Sequence, residues 1–271
     1  MSAFEILCVT MHQRDFSKIQ QMNIHSDVFF ANQADRTEFE ELEFEGHKAR
    51  MLTTDTRGVG VNRNMCLQYA MGTICILADD DVTYCDNMEE KVLSEFTNHP
   101  DADVIVFQFS SDDSSRNTPQ YTKTRKWPKI ARTPWGAIRL AFRLEAVRRA
   151  NAWFTTLFGG GCLFPSGEDT MWIKALRKSG LTFYVSKETI GEVSYETSTW
   201  FTGYDERYYF GQGALYQALR PKTFFVWMFY SVWRTRGHGE LTTREKMNWI
   251  RRGREGYRSM QGYQEYVGNN T

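Results

Sequence analysis

The sequence predicts an α/β protein: a central sheet flanked by helices, with a helical extension at the C-terminal end. Three observations carry this. Apolar runs of strand length alternate with helix-length segments from Phe4 to Leu219, the pattern of strand–helix units in a largely parallel sheet. One run, Ile74-Cys75-Ile76-Leu77-Ala78, ends abruptly in Asp79-Asp80-Asp81, and in open α/β sheets ligands sit beyond the carboxyl ends of strands. From Pro221 the composition turns aromatic and basic, which sets residues 221–271 apart from a main domain of 1–220.

In chain order, Ile6–Thr10 is a short β-branched run and the first strand, and the segment Asp15–Met22 is the first helix. Val28–Ala31 is a second strand ending at Asn32-Gln33, and Ala49–Thr53 a third. The acidic stretch holding Phe39, Leu42 and Phe44 fits no element clearly. Gly58 and Gly60, two apart, permit a tight turn before a helix that runs to Ala70, but the third glycine of a dinucleotide fingerprint is missing. The central run from Ile74 to Tyr84 follows, then a helix Asn87–Asn98 stopped by Pro100. Val104–Phe109 stays apolar, as a strand covered on both faces would. Ser110–Pro134 is a long polar and basic insertion, a length associated with function or mobility. Ala137–Arg143 is a strand and Glu145–Asn151 a short helix. Phe158–Trp172 contains three successive glycines and then Gly167-Glu168-Asp169, where a helix begins that Gly180 ends. Two strands, Thr182–Val185 and Thr189–Tyr195, and a helix to Leu219 complete the main domain.

The bulk numbers bound the function. With 271 residues and 41% hydrophobic content the chain can build a sizeable core. A formal net charge of zero argues against nucleic acid as the partner. The five cysteines form no C-x-x-C pair and lie in apolar settings, as reduced buried thiols of a cytosolic protein do. No basic, apolar leader opens the sequence and no run of 18 apolar residues occurs.

Two stretches carry chemistry. Three adjacent carboxylates repel one another, and a hard divalent cation, Mg²⁺ or Mn²⁺, relieves that strain while bridging to phosphate; the plain alternative is a solvated acidic turn. The Gly-rich loop before Glu168-Asp169 suits close approach of backbone to a ligand; the plain alternative is a capping pattern, Ser166-x-x-Asp169, at a helix start. In the C-terminal segment, Phe224, Phe225, Trp227, Phe229, Tyr230 and Trp233 precede Arg234 and Arg236, and a second basic run extends from Arg244 to Arg258. An aromatic helix with flanking arginines is able to lie on an anionic bilayer, or to pack on the domain with a solvated basic face.

In their order these residues resemble a glycosyltransferase of the GT-A fold, family 2, of the bacterial surface-polysaccharide type. The features are a first strand with a nucleotide-side loop, Arg63-Asn64 at a helix start, Asp79–Asp81 closing a strand, and the Gly-rich loop leading to Gly167-Glu168-Asp169. Ser198-Thr199-Trp200-Phe201 resembles the family's acceptor-side region. The resemblance covers about Phe4 to Leu219 and implies a Rossmann-like mixed sheet. It implies that Thr10, Asn32, Gln33, Arg63, Asp79 and Asp80 face the nucleotide-sugar. Asn32-Gln33 replace the acid that many relatives use to read uracil. Asp81 or Asp80 would bind Mn²⁺ or Mg²⁺. Asp169 would be the base, with Glu168 and Trp200 on the acceptor side. Where some relatives carry a metal-binding histidine, this chain has Glu192-Val193-Ser194-Tyr195-Glu196. The implied activity is metal-dependent, inverting transfer of a sugar, from a UDP-sugar in first preference, to a glycan or lipid-linked hydroxyl at the cytoplasmic face of a membrane.

Asp79-x-Asp81-x-Thr83 also matches the opening motif of haloacid-dehalogenase-like phosphatases, although that motif normally sits on the first strand. A nucleotidyltransferase would need a Gly-rich, Lys/Arg-bearing loop after the first strand, which is absent. A non-catalytic sugar- or lipid-binding protein of the same fold is the third alternative. The transferase reading requires the acid trio and the Glu168-Asp169 pair to come together in space.

Overall fold

The computed structural model describes residues 3–111, 120–129, 131–194 and 203–269. The chain divides into two compact units, one made of Met1–Arg57, Val61–Phe154 and Asp169–Ser198, the other of Gly58–Gly60, Thr155–Glu168 and Thr199–Thr271.

The first unit is built on a ten-stranded mixed sheet. Its strands are β1 (Phe4–Met11), β2 (Asp27–Gln33), β3 (Glu38–Phe44), β4 (His47–Thr54), β5 (Ile74–Asp79), β6 (Val82–Tyr84), β7 (Val104–Ser111), β8 (Arg125–Lys126), β9 (Leu140–Arg143) and β10 (Phe183–Val193). The order is β3-β4-β2-β1-β5-β9-β7-β10-β6, with β8 on β10. The pairs β4/β2, β2/β1 and β1/β5 are parallel, as the early strand–helix alternation requires. The sheet turns mixed where β9 runs antiparallel between β5 and β7. The helices α1 (Lys18–Gln21), α2 (Val59–Tyr69), α3 (Met88–Asn98), α4 (Leu144–Ala150) and α5 (Glu168–Lys178) lie between strands in sequence.

The core explains the apolar runs. Phe4, Ile6, Cys8, Val28, Phe30, Ile74, Ile76 and Ala78 from the parallel strands are buried in one cluster with Met88, Val92 and Phe96 of α3. Both faces of β1 are covered, so its run is continuous and not alternating. Each fully buried Ile, Val or Phe contributes about 1.5–3 kcal/mol by leaving water. A buried ion pair lies in the same unit. Arg50 of β4 donates to Glu5 of β1 at 2.5 Å, and Glu5 also accepts from the backbone N–H groups of Met71 and Gly72 at 2.6 and 2.8 Å.

Several elements differ from the sequence reading. The first helix shrinks to the single turn α1. The unplaced acidic stretch is β3, an edge strand paired with β4 through a turn at Glu45-Gly46, where both residues have positive φ. The run Ile74–Tyr84 is two strands: β5 lies beside β1, while β6 pairs antiparallel with β10 at the far edge. Of the acid trio, Asp79 closes β5 and Asp80-Asp81 occupy the break between the two strands. Ala137–Arg139 is a 3₁₀ turn that leads into β9. The two late strands are one, β10, with irregular register between Val185 and Gly191.

The second unit carries α6 (Glu206–Leu219), α7 (Phe224–Arg234), α8 (Thr243–Ser259) and α9 (Tyr263–Asn269). α6 and α8 cross closely through glycine: a Cβ added at Gly213 would lie 2.0 Å from the Ile250 carbonyl oxygen, and one at Gly253 would lie 1.9 Å from that of Phe210. α8 begins with a capping box, Thr242 and Glu245 satisfying each other's backbone N–H groups. Lys246 is buried and donates to the carbonyls of Thr235 and His238 at 3.0 and 2.7 Å, which satisfies chain just beyond the end of α7. Among the described residues, no helix is long and apolar enough to cross a membrane.

Candidate active site

The register of β1 and β5 places the first pieces of the site. Val9 pairs with Asp79, so Thr10 comes level with Asp80, and its hydroxyl donates to Asp80 Oδ2 at 2.5 Å. Lys18, at the start of α1, donates to the Asp80 carbonyl at 3.0 Å and lies 3.9 Å from the Asp80 carboxylate. Asp79 closes β5 and accepts from Arg63 Nη2 at 3.0 Å.

Arg63 is the junction. It projects from the first turns of α2, its side chain is only 4% exposed, and its other terminal nitrogen, Nη1, donates to Oδ1 of Asp169. Its guanidinium also lies over the Phe154 ring, 5.4 Å from the centroid. The second oxygen of Asp169 accepts from the backbone N–H of Ala137 at 2.9 Å. One buried cation therefore gathers a carboxylate from the end of β5 and one from the start of α5. The acid trio and Asp169, distant in sequence, are neighbours in the first unit.

Asp81 is different from its two neighbours. Its Oδ1 is buried without a hydrogen-bond partner among the described residues. Burial, reinforced by the charges of Asp79 and Asp80, pushes its carboxyl up to about 6. A carboxylate held in this state favours anything that brings positive charge to it. Among the described residues no three His, Cys, Asp or Glu side chains converge to form a metal cage. The oxygen donors still suit Mg²⁺ or Mn²⁺, since ions of this kind are commonly held by one or two carboxylates, with substrate phosphates and water completing the shell. The Glu192–Ser194 segment borders this spot through backbone: Glu192 pairs with Thr83, and the Ser194 N–H donates to the Asp81 carbonyl at 3.3 Å.

Asn32, expected to face the nucleotide, is fully buried and its amide is committed. It donates to the Gln13 carbonyl at 2.9 Å and to the Thr53 hydroxyl at 3.0 Å, and its oxygen accepts from Gln13 N–H at 3.1 Å. Asn32 thus fixes the turn after β1. Gln33 is buried beside it, its carbonyl accepting from His12 N–H at 2.8 Å. Asn64, next to Arg63, exchanges two hydrogen bonds with the backbone of Phe154, at 2.9 and 2.7 Å.

In the second unit, Glu168 is buried and turns its carboxylate back to the Gly167 N–H at 3.0 Å. A glycine earlier in the loop, Gly159, has a packing reason. Its φ is +111°, and a Cβ there would meet Val59 Cγ1 at 2.5 Å and Glu168 Cδ at 2.9 Å. Trp200, with Ser198–Phe201 and Glu196, lies outside the described residues.

Two participants carried no sequence signal. Lys18 is an ordinary lysine in a polar segment until the fold brings it to Asp80. The Ala137 N–H is a backbone group, invisible in any motif.

Comparison with solved structures gives the fold its class. TarS of S. aureus, residues 1–349 in complex with UDP-GlcNAc, aligns with a TM-score of 0.61 at 12% identity, over 97% of this chain and 93% of that one. TarS 1–349 in complex with UDP gives 0.57 at 12% identity over the same shares. The larger TarS structure gives 0.57 at 11%, over 88% of this chain and 44% of that one. The architecture is the GT-A fold of glycosyltransferases.

Residues 30–159 match the model of glycosyl transferase family 2, a span that includes Arg63 and the acid trio and stops short of Asp169. No match was found among curated protein sequences. A glycosyl transferase family 2 match over residues 30–159, just under half of the chain, together with the GT-A fold supports a glycosyltransferase and weighs against the dehalogenase-like phosphatase.

Proposed function

We propose that the chain transfers a sugar, with inversion, from a nucleotide-diphosphate sugar to a hydroxyl of a glycan or lipid-linked acceptor at the cytoplasmic face of a membrane. The observation that carries this reading is the double ion pair of Arg63 with Asp79 and Asp169. It supports one reaction centre served by both ends: a donor side at Thr10 and Asp79–Asp81, and an acceptor side at Asp169. A UDP-sugar is the favoured donor, and the TarS complexes with UDP-GlcNAc and UDP support that preference.

Asp169 is the proposed base. Its Oδ2 accepts one backbone hydrogen bond and retains a second lone pair. The acceptor hydroxyl attacks the anomeric carbon, the bond from that carbon to the diphosphate oxygen breaks, and the hydroxyl proton passes to the Asp169 carboxylate. A single in-line displacement inverts the configuration. Arg63 acts as a positioning residue, holding Asp169 through the other oxygen. Thr10 and Lys18 orient Asp80 toward the ribose and phosphates, and Asn32 holds the Met11–Arg14 turn on the base side with Gln33 beside it. Glu168 adjoins Asp169 in sequence and remains the acceptor-side candidate within the described residues. Mn²⁺ or Mg²⁺, held by Asp81 with Asp80, supplies charge neutralisation for the departing diphosphate when bound.

The test is Asp169→Asn. Asparagine takes no proton and keeps a single acceptor oxygen, which serves either Arg63 or the Ala137 N–H, with its amide nitrogen toward the other. Turnover should fall by about 10²–10⁴-fold, the size of general-base assistance, while donor affinity stays near that of the unaltered chain. Unchanged turnover refutes the assignment of the base.

A further inference from the structure

The outer face of α7 has no role in the proposed chemistry, and its composition is unusual for a surface. Phe224, Met228, Ser231 and Val232 are buried. On the opposite side Phe225, Val226, Phe229 and Trp233 are 51%, 66%, 54% and 65% exposed. Phe225, Phe229 and Trp233 recur every four residues, and Val226 is seven before Trp233, so the four form one stripe along the helix. Exposed apolar side chains are ordinary when scattered, whereas a contiguous stripe marks an interaction surface.

The charge around the stripe selects its occupant. Lys222 lies one turn before Phe225 and Arg236 three residues after Trp233, and both are exposed, as are Arg220 and Arg234. From Arg207 to Gly239 the sequence contains no Asp or Glu, although the whole chain carries 33 acids and 33 bases. A second copy of the same face would bring these cations against one another. An apolar stripe bounded by cations fits a surface that is hydrocarbon within and anionic at its rim. At eleven residues α7 is too short to span a bilayer, and its exposed aromatic side chains suit the level of the headgroups.

We infer that α7 docks its Phe225–Val226–Phe229–Trp233 stripe into the headgroup region of an anionic lipid surface, with Lys222 and Arg236 at the phosphates. The inference goes beyond the transfer reaction and does not depend on it, because the readout below is lipid binding and not turnover.

The experiment uses the full chain and sedimentation with phosphatidylcholine vesicles, with and without phosphatidylglycerol. Binding is expected on the anionic vesicles and not on the neutral ones. The double variant Phe229→Glu, Trp233→Glu should lower the partition coefficient at least about tenfold, since it removes apolar contact and adds repulsion. Both residues are exposed, so its circular dichroism and melting temperature should match those of the unaltered chain. A second variant, Lys222→Glu, Arg236→Glu, keeps the stripe and should lose the preference for anionic lipid. Equal pelleting of all three proteins overturns the inference. So does equal pelleting on both kinds of vesicle, or self-association that the stripe variant abolishes without any lipid binding.

Discussion

Replacing Asp81 by asparagine should stabilise the metal-free protein near neutral pH. The Asp81 carboxyl is pushed from its ordinary 3.8 up to about 6, chiefly by burial and then by Asp79 and Asp80. The folded state therefore holds the proton more tightly than the unfolded chain. For an acid shifted upward, stability falls as pH rises from about 4 to about 6, and the whole penalty is present above that range. The difference corresponds to about 3 kcal/mol at full value. The side chain is only half-buried, so solvent screening lowers this to about 1–2 kcal/mol. Asparagine carries no such charge. In a chelating buffer its melting temperature should exceed that of the unaltered chain by about 3–6 °C near neutral pH, and the two should converge below about pH 4. Mn²⁺ should reverse the order by binding the unaltered folded state more tightly than the variant. Calorimetry or dye-monitored melting across pH reads both effects. If the variant melts at or below the unaltered chain in chelator near neutral pH, the reasoning about Asp81 fails.

Two further substitutions probe the scaffold and the junction. Arg50→Ala strands Glu5, whose partner side chain is 4% exposed and which is itself 3% exposed; the loss should be about 3–5 kcal/mol in a denaturant titration. A change under about 1 kcal/mol would show that Met71 and Gly72 N–H groups suffice to hold Glu5. Arg63→Met should lower kcat by about 10²-fold through misplacement of Asp169, with Arg63→Lys recovering part of the loss; a change confined to KM would place Arg63 on the donor alone.

What was legible in the sequence follows from whether the signal is local. β1, β5 and β7 stand out because strands buried on both faces leave continuous apolar runs. α3 is legible from its stop at Pro100. β3 was unplaced because an edge strand can carry acids on both faces, and Glu38, Glu40, Glu41 and Glu43 obscure the alternation. The break between β5 and β6 was missed because Val82–Tyr84 continues the β-branched and aromatic character of the run before it, while its partner, β10, lies far along the chain. The acid trio and Glu168-Asp169 were legible because carboxylates ending an apolar strand or opening a helix after glycines are conspicuous. That the two stretches come together was an expectation; the junction itself, Arg63 between Asp79 and Asp169, was not foreseen, because the contact with Asp169 spans more than a hundred residues of chain. Lys18 and the Ala137 N–H join the site through tertiary placement alone.

The most direct measurement is release of nucleoside diphosphate from a panel of UDP- and GDP-sugars by the full chain in Mn²⁺, with Asp79→Asn and Asp169→Asn measured alongside for both release and donor binding. If one centre joins the acid trio to Asp169, at least one donor is turned over, both variants lose turnover, and only Asp79→Asn loses affinity for the donor. Turnover that survives both substitutions, or a panel in which no nucleotide-sugar binds, contradicts the account.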